Sequence, residues 1–171
     1  IHCDLKPANV LLDDMGHARV ADFGQSKVLN ESSGALGTLF YMAPEQAMIS
    51  QGGAGIQPDV RWDVYALGAS AYAVLTGKVP NLESLKARLT TSPGLEDRLN
   101  AYRELTRGAV LQSPREVRGP EVDEDLSAIV GKCLSYDPDQ RYGTMGAVLA
   151  DLAARRESRP VTPLAHDRGY R

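Results

Sequence analysis

Cysteine is scarce in this chain. Two occur in 171 residues, Cys3 and Cys133, far apart and without C-x-x-C spacing, a usage that fits a reduced, cytosolic setting. Long apolar runs are missing as well. None approaches the 18 or more residues of a membrane span, and no signal-peptide pattern opens the chain. An excess of one charge is also lacking, because 19 basic and 22 acidic residues leave a formal net charge of −3. Without a basic face there is no electrostatic case for nucleic-acid binding, which depends on displacing counterions from phosphates. Histidine is rare too, and His2 has no second ligand pair at suitable spacing, so it is read as a packed structural residue rather than a metal ligand. What remains is ordinary for a globular protein: 43% hydrophobic and 24% charged residues, in a length suited to one domain with a real core.

The chemistry is concentrated at the start, in His2-Cys3-Asp4-Leu5-Lys6-Pro7-Ala8-Asn9. Two short apolar runs follow, Asn9–Asp13 and His17–Ala21, separated by the turn residues Asp14-Met15-Gly16, and they read as a β-hairpin. The hairpin leads directly into Asp22-Phe23-Gly24 and brings Asp22 back towards Asn9, so that two oxygen ligands from different loops converge. Magnesium prefers such oxygen ligands and usually keeps open positions for water and substrate phosphates. From Gln25 to Leu39 the chain is polar and aperiodic, ending in Gly37-Thr38-Leu39-Phe40-Tyr41-Met42-Ala43-Pro44-Glu45. Ser50 to Pro58 is glycine-rich and reads as a loop. Asp59 then opens a helix of about eighteen residues that stops at Gly77, with apolar residues on more than one face, as expected of a buried helix. Leu82, Leu85 and Leu89 form one helical stripe and Leu95, Leu99, Tyr102 and Leu105 another, broken by Ser92-Pro93-Gly94. Further helices are read over 124–134 and 145–154, with Asp137-Pro138-Asp139-Gln140-Arg141 between them.

These motifs, in this order, resemble a protein kinase. His2–Asn9 is similar to the catalytic loop H-R-D-L-x-x-x-N, Asp22-Phe23-Gly24 to D-F-G, and Ala43-Pro44-Glu45 to A-P-E. The resemblance spans residues 1 to 142 and is strongest to bacterial Ser/Thr kinases, whose wording Tyr-Met-Ala-Pro-Glu-Gln approaches. It implies the large, mainly α-helical C-terminal lobe of the kinase fold over 1–154, with a short β-hairpin near the N-terminus and a basic, proline-containing tail over 155–171.

It also implies roles. Asp4 would accept the proton of a substrate Ser or Thr hydroxyl, Lys6 would serve the γ-phosphate of ATP, and Asn9 and Asp22 would hold Mg2+. Thr38 would bond near Asp4 and Lys6, Asp63 would brace the backbone of the catalytic loop, and Glu45 would form a buried ion pair with Arg141. Lys6-Pro7-Ala8 points to Ser/Thr rather than Tyr substrates. Cys3 departs from the pattern, standing where the family has Arg, and is read as a small packed hydrophobe. Because that Arg pairs with a phosphorylated loop, activity independent of phosphorylation at Ser32, Ser33 or Thr38 is expected. The Gly-rich phosphate cover and the V-A-I-K lysine, which belong to a small upstream lobe, are not in the chain, so it is expected to be a fragment with little activity alone. The alternative reading is a noncatalytic, pseudokinase-type scaffold.

Overall fold

A computed structural model describes residues 1–23, 36–51, 57–92 and 94–164. An extended start passes through the 3-10 turn Pro7–Asn9 into strands β1 (Val10–Leu12) and β2 (Ala18–Val20). They pair antiparallel, Val10 opposite Val20 and Leu12 opposite Ala18. Asp13 makes the turn between them: its carboxylate accepts the backbone N–H of Met15 and of His17. Gly16 sits at φ 79°, where a side chain would be strained. Leu11, Leu12 and Val20 on this hairpin are exposed.

All other described elements are helical. A single turn, α1 (Leu36–Leu39), precedes a 3-10 stretch, Pro44–Gln51. The helices α2 (Val60–Thr76), α3 (Leu82–Thr91), α4 (Leu95–Gly108), α5 (Pro114–Arg118), α6 (Glu124–Cys133) and α7 (Met145–Arg156) follow. The axis of the packing is α2. Asp59 starts it by accepting the Arg61 N–H, and Gly77, in the left-handed region at φ 75°, ends it. One face, with Trp62, Tyr65, Ala69 and Tyr72, packs on Val130 and Leu134. The opposite face brings Val64 onto Ile129, Cys133, Tyr142 and Val148. Burial on two sides explains why its sequence is apolar nearly all round. At Gly68 the two backbones close in so far that a Cβ there would stand 2.6 Å from the Cβ of Cys133.

The apolar stripes of α3 and α4 share one partner. Leu85, Leu89, Leu99 and Tyr102 form a core with Leu39, Met42 and Ala47. Helices α3 and α4 thus seat the segment around Ala43-Pro44-Glu45. A loop is expected from Ser50, but the 3-10 stretch includes Ser50 and runs to Gln51; residues 52–56 lie outside the described ones. A helix the periodicity did not reveal, α5, is started by Ser113, which accepts the Glu116 N–H while Glu116 accepts the Ser113 N–H.

The chain stays packed beyond 154, where the tail is expected to begin. Helix α7 continues to Arg156, and Val161 is fully buried against Ile129 and Val148. The buried Asp151 carboxylate accepts the N–H and hydroxyl of Thr162 and the hydroxyl of Tyr142. Val161, Thr162 and Leu164 carry this docking, too short a run to create a pattern that periodicity can detect. Among the described residues no helix is long and apolar enough to cross a membrane.

Candidate active site

Asp63, in the first turn of α2, is almost wholly buried and faces the first residues of the chain. Its two oxygens accept the backbone N–H of His2 at 2.7 Å and of Cys3 at 2.8 Å. A carboxylate so buried is tolerable because both oxygens are satisfied by N–H donors. The same bonds hold Cys3 at φ 67°, a conformation that costs a side-chain-bearing residue roughly 1–2 kcal/mol. Cys3 itself is half-buried and packs on the Trp62–Tyr65 cluster. Burial first, and the Asp63 carboxylate second, raise its thiol pKa.

His2 is buried and links the loop to the hairpin. Its Nε2 lies 2.8 Å from the Ala21 carbonyl, and its Nδ1 accepts the Asp4 N–H at 3.3 Å. A neutral ring with its proton on Nε2 satisfies both contacts, leaving no lone pair for a metal. The Ala21 N–H in turn donates to the Asn9 carbonyl at 2.8 Å, so Asp22 directly follows a residue whose N–H and carbonyl are both bonded. Asp22 stands exposed at φ 63°, with the Phe23 ring against His2 at 4.8 Å between centroids. Gly24, Ser32 and Ser33 lie outside the described residues.

Around Asp4 the polar groups converge. Lys6 Nζ donates to Asp4 Oδ2 at 2.8 Å and to Thr38 Oγ1 at 3.1 Å. The buried Asn9 donates from Nδ2 to the Asp4 carbonyl at 2.8 Å and lies 3.4 Å from Asp4 Oδ2. Both neighbours thus approach the same oxygen, Oδ2. Because Asn9 spends its NH2 group inside the loop, its Oδ1 is the atom turned to other use. Among the described residues no group of three or more His, Cys, Asp or Glu side chains could hold a metal ion by itself.

Behind this cluster, Glu45 and Arg141 meet in a two-pronged ion pair, NH1 to Oε1 at 2.7 Å and NH2 to Oε2 at 2.9 Å. The Arg141 side chain has no exposure and spends its remaining donors on the Ser135, Arg61 and Tyr136 carbonyls. Its guanidinium also lies over the Tyr65 ring, 4.9 Å from the centroid. Two residues that sequence reasoning passed over act beside it. The Tyr102 hydroxyl donates to the Met42 carbonyl, and the Gln46 side chain bridges Ala43 and Cys3. Tyr102 was visible only as one more apolar position in the α4 stripe. Gln46 follows Ala43 by three, with proline at the first helical position between them, which is the spacing of a helix-start box.

Comparison with known proteins agrees with this arrangement. The profile of the protein kinase domain matches residues 1–152. The serine/threonine-protein kinase PknB of Mycolicibacterium smegmatis is 32% identical over 159 residues, covering 89% of this chain and 22% of that protein. A probable serine/threonine-protein kinase of Streptomyces coelicolor, SCO3848, is 32% identical over 168 residues, 94% of this chain and 22% of its own length. The tyrosine-protein kinase MasK of Myxococcus xanthus is 35% identical over 152 residues, 86% of this chain and 20% of MasK. The chain therefore spans about a fifth of the length of these relatives. With a kinase profile over most of its length and bacterial kinases among its relatives, the chain belongs to the protein kinase family, in its bacterial form.

Proposed function

We propose that this chain is the C-terminal lobe of a bacterial Ser/Thr protein kinase, which transfers the γ-phosphoryl group of ATP to protein hydroxyls. The observation that carries the reading is the convergence of Lys6, Asn9 and Thr38 on Asp4. Asp4 orients the substrate hydroxyl through Oδ1 and takes its proton, while Lys6 offers a point charge to the γ-phosphate. Asn9 Oδ1 and the Asp22 carboxylate form an oxygen donor set suited to Mg2+, and they would hold it together with the phosphates of ATP. When bound, the ion neutralises charge on those phosphates. The protein's own share of the work is positioning: Asp63 fixes the loop from one side and the hairpin fixes Asp22 from the other.

The Lys6–Thr38 bond and Lys6-Pro7-Ala8 support Ser/Thr specificity. The exposed hairpin residues Leu11, Leu12 and Val20 support a second, smaller lobe covering ATP, without which this chain alone transfers little phosphate. Cys3 offers no charge to a phosphorylated loop, so the enzyme works without that modification. The setting expected from the two free cysteines is the cytosol.

The test is phosphate transfer from Mg-ATP to Ser/Thr and Tyr protein substrates by the parent protein, beside an Asp22→Asn control. Transfer to Ser or Thr that disappears in the control is expected. No transfer and no ATP binding would replace the reading with a noncatalytic scaffold, and transfer to Tyr alone would overturn the specificity.

A further inference from the structure

Gln46 has two jobs in the fold, and only one of them is local. Its Oε1 accepts the Ala43 N–H at 2.9 Å, while its own backbone N–H donates to the Ala43 carbonyl at 3.0 Å. This reciprocal pair starts the 3-10 stretch at Pro44, with Gln46 as the third residue reaching back to the first N–H. A glutamate would do that job equally well, because only an acceptor is needed. The amide adds an NH2 group, and this donates to the Cys3 carbonyl at 3.0 Å, across 43 residues of sequence.

The acceptor it reaches is a sensitive one. Cys3 is in the left-handed region at φ 67°, its N–H is held by Asp63 on the α2 side, and its carbonyl belongs to the peptide that leads into Asp4. Rotation of that peptide swings Asp4; the peptide's carbonyl accepts from Gln46 and its N–H donates to His2 Nδ1, while the Asp63 bond holds the peptide before it. With cysteine rather than arginine at position 3, the side chain at this point supplies no charged link to the segment around Ala43. Hydrogen bonds from Lys6 to Thr38 and from Gln46 to the Cys3 carbonyl join the regions.

We infer that Gln46 is a positioning residue for phosphoryl transfer: its side-chain amide locks the Cys3–Asp4 peptide and so couples the geometry of Asp4 to the Ala43–Ala47 segment. The inference rests on the kinase reading above. It explains why an amide stands where the local turn needs only an acceptor. It also places that coupling in a neutral hydrogen bond, from the Gln46 amide to the Cys3 carbonyl.

Two substitutions separate the jobs. Gln46→Glu keeps the bond from the Ala43 N–H but sets a carboxylate against the Cys3 carbonyl; Gln46→Met is uncharged and removes both bonds. In the parent kinase, Gln46→Glu is expected to lower kcat roughly three- to tenfold, as the loss of one hydrogen bond would, with KM for ATP unchanged. Gln46→Met should lower kcat at least as far. In the 171-residue chain, Gln46→Met is expected to speed iodoacetamide alkylation of Cys3 by about the same factor, since the loop it sits on loosens. Cys133, 2% exposed and with its thiol pKa pushed up to about 12 by burial, is the internal control and stays unmodified. A merely structural residue would lower the melting temperature in both variants and leave kcat per folded molecule unchanged. Unchanged kcat in Gln46→Glu, or an unchanged Cys3 alkylation rate in Gln46→Met, overturns the inference. Should the unsubstituted parent transfer no phosphate, the kinase reading falls, and the alkylation arm alone decides whether Gln46 holds the Cys3 carbonyl.

Discussion

Replacing Arg141 by methionine should be among the costliest single changes in this chain, and the structure sets the size. The guanidinium is wholly buried and serves five acceptors: both oxygens of Glu45 and the carbonyls of Ser135, Arg61 and Tyr136. An exposed ion pair would be worth about 0–1 kcal/mol, but breaking a buried pair from one side typically costs about 3–5 kcal/mol. Glu45 keeps 19% side-chain exposure, so its abandoned carboxylate regains some water, and about 4 kcal/mol is the expected loss for Arg141→Met. Glu45→Met leaves the guanidinium with its three carbonyls and should cost roughly 3 kcal/mol. The double variant decides the mechanism. If the pair acted alone, two methionines would restore most of the stability, as apolar replacement of buried pairs often does. Here three carbonyls still lose their donor, so about 2–3 kcal/mol should remain missing, far less than the sum of the single losses. In urea at pH 7, with a slope of about 2 kcal/mol/M, the midpoint should fall by roughly 2 M for Arg141→Met and roughly 1 M for the double variant. A single-variant midpoint within about 0.3 M of the parent would refute the energetic role of the pair. A double variant at full stability would refute the role of the carbonyls.

Gly68→Ala tests the closest approach of α2 and α6: alanine gains about 1 kcal/mol of helix propensity, but the new Cβ meets that of Cys133 at 2.6 Å, so a net loss of about 1–2 kcal/mol is expected in urea. Cys133→Ala in the same background should not restore it, because alanine keeps the offending Cβ. Hydrogen bonds from Arg61 hold the Asp59 carboxyl below its ordinary pKa; the stability it adds is therefore present above about pH 4 and lost as pH falls through the lower folded value. Asp59→Asn, which keeps a capping oxygen, should melt below the parent at pH 7 and converge with it towards pH 2. Asp151→Asn turns an acceptor of three donors into a partial donor, and hydrogen exchange at the Thr162 amide should accelerate by about tenfold or more while α2 amides stay protected. Equal acceleration in α2 would mean that the tail is part of the global unfolding unit.

How far the sequence disclosed this structure depends on whether the information was local. Asp59 and Gly77 bracket α2 because a cap and a left-handed stop act on the helix that contains them, and the structure places both where the spacing predicts. The hairpin was legible for the same reason, with Asp13 and Gly16 making the turn out of adjacent residues. Motif resemblance supplied the pairs that distance in sequence hides, above all the meeting of Asp63 with the loop N–H groups and of Arg141 with Glu45. Illegible were the contacts that neither periodicity nor motif encodes. Val161 lies in a mostly polar tail, yet it is fully buried, with Asp151 holding Thr162 beside it. The α3 and α4 stripes revealed that these helices bury a face without saying against what, and Tyr102 hid its hydroxyl bond to Met42 within such a stripe.

Gln46 shows the same limit at the site itself. Its spacing from Ala43 fits a local acceptor, and only the three-dimensional neighbour, a strained carbonyl 43 residues earlier, gives the amide nitrogen a purpose. Cys3 completes the point: the sequence marks it as a departure at a position where charge is usual, and the structure puts backbone hydrogen bonds on both of its peptide groups. A side chain that cannot carry a positive charge thus leaves the clamping of Asp4 to its own backbone. Backbone bonds need acceptors and donors of fixed placement, which is why the surrounding residues are Asp63 and Gln46 on rigid elements rather than long cations on mobile ones.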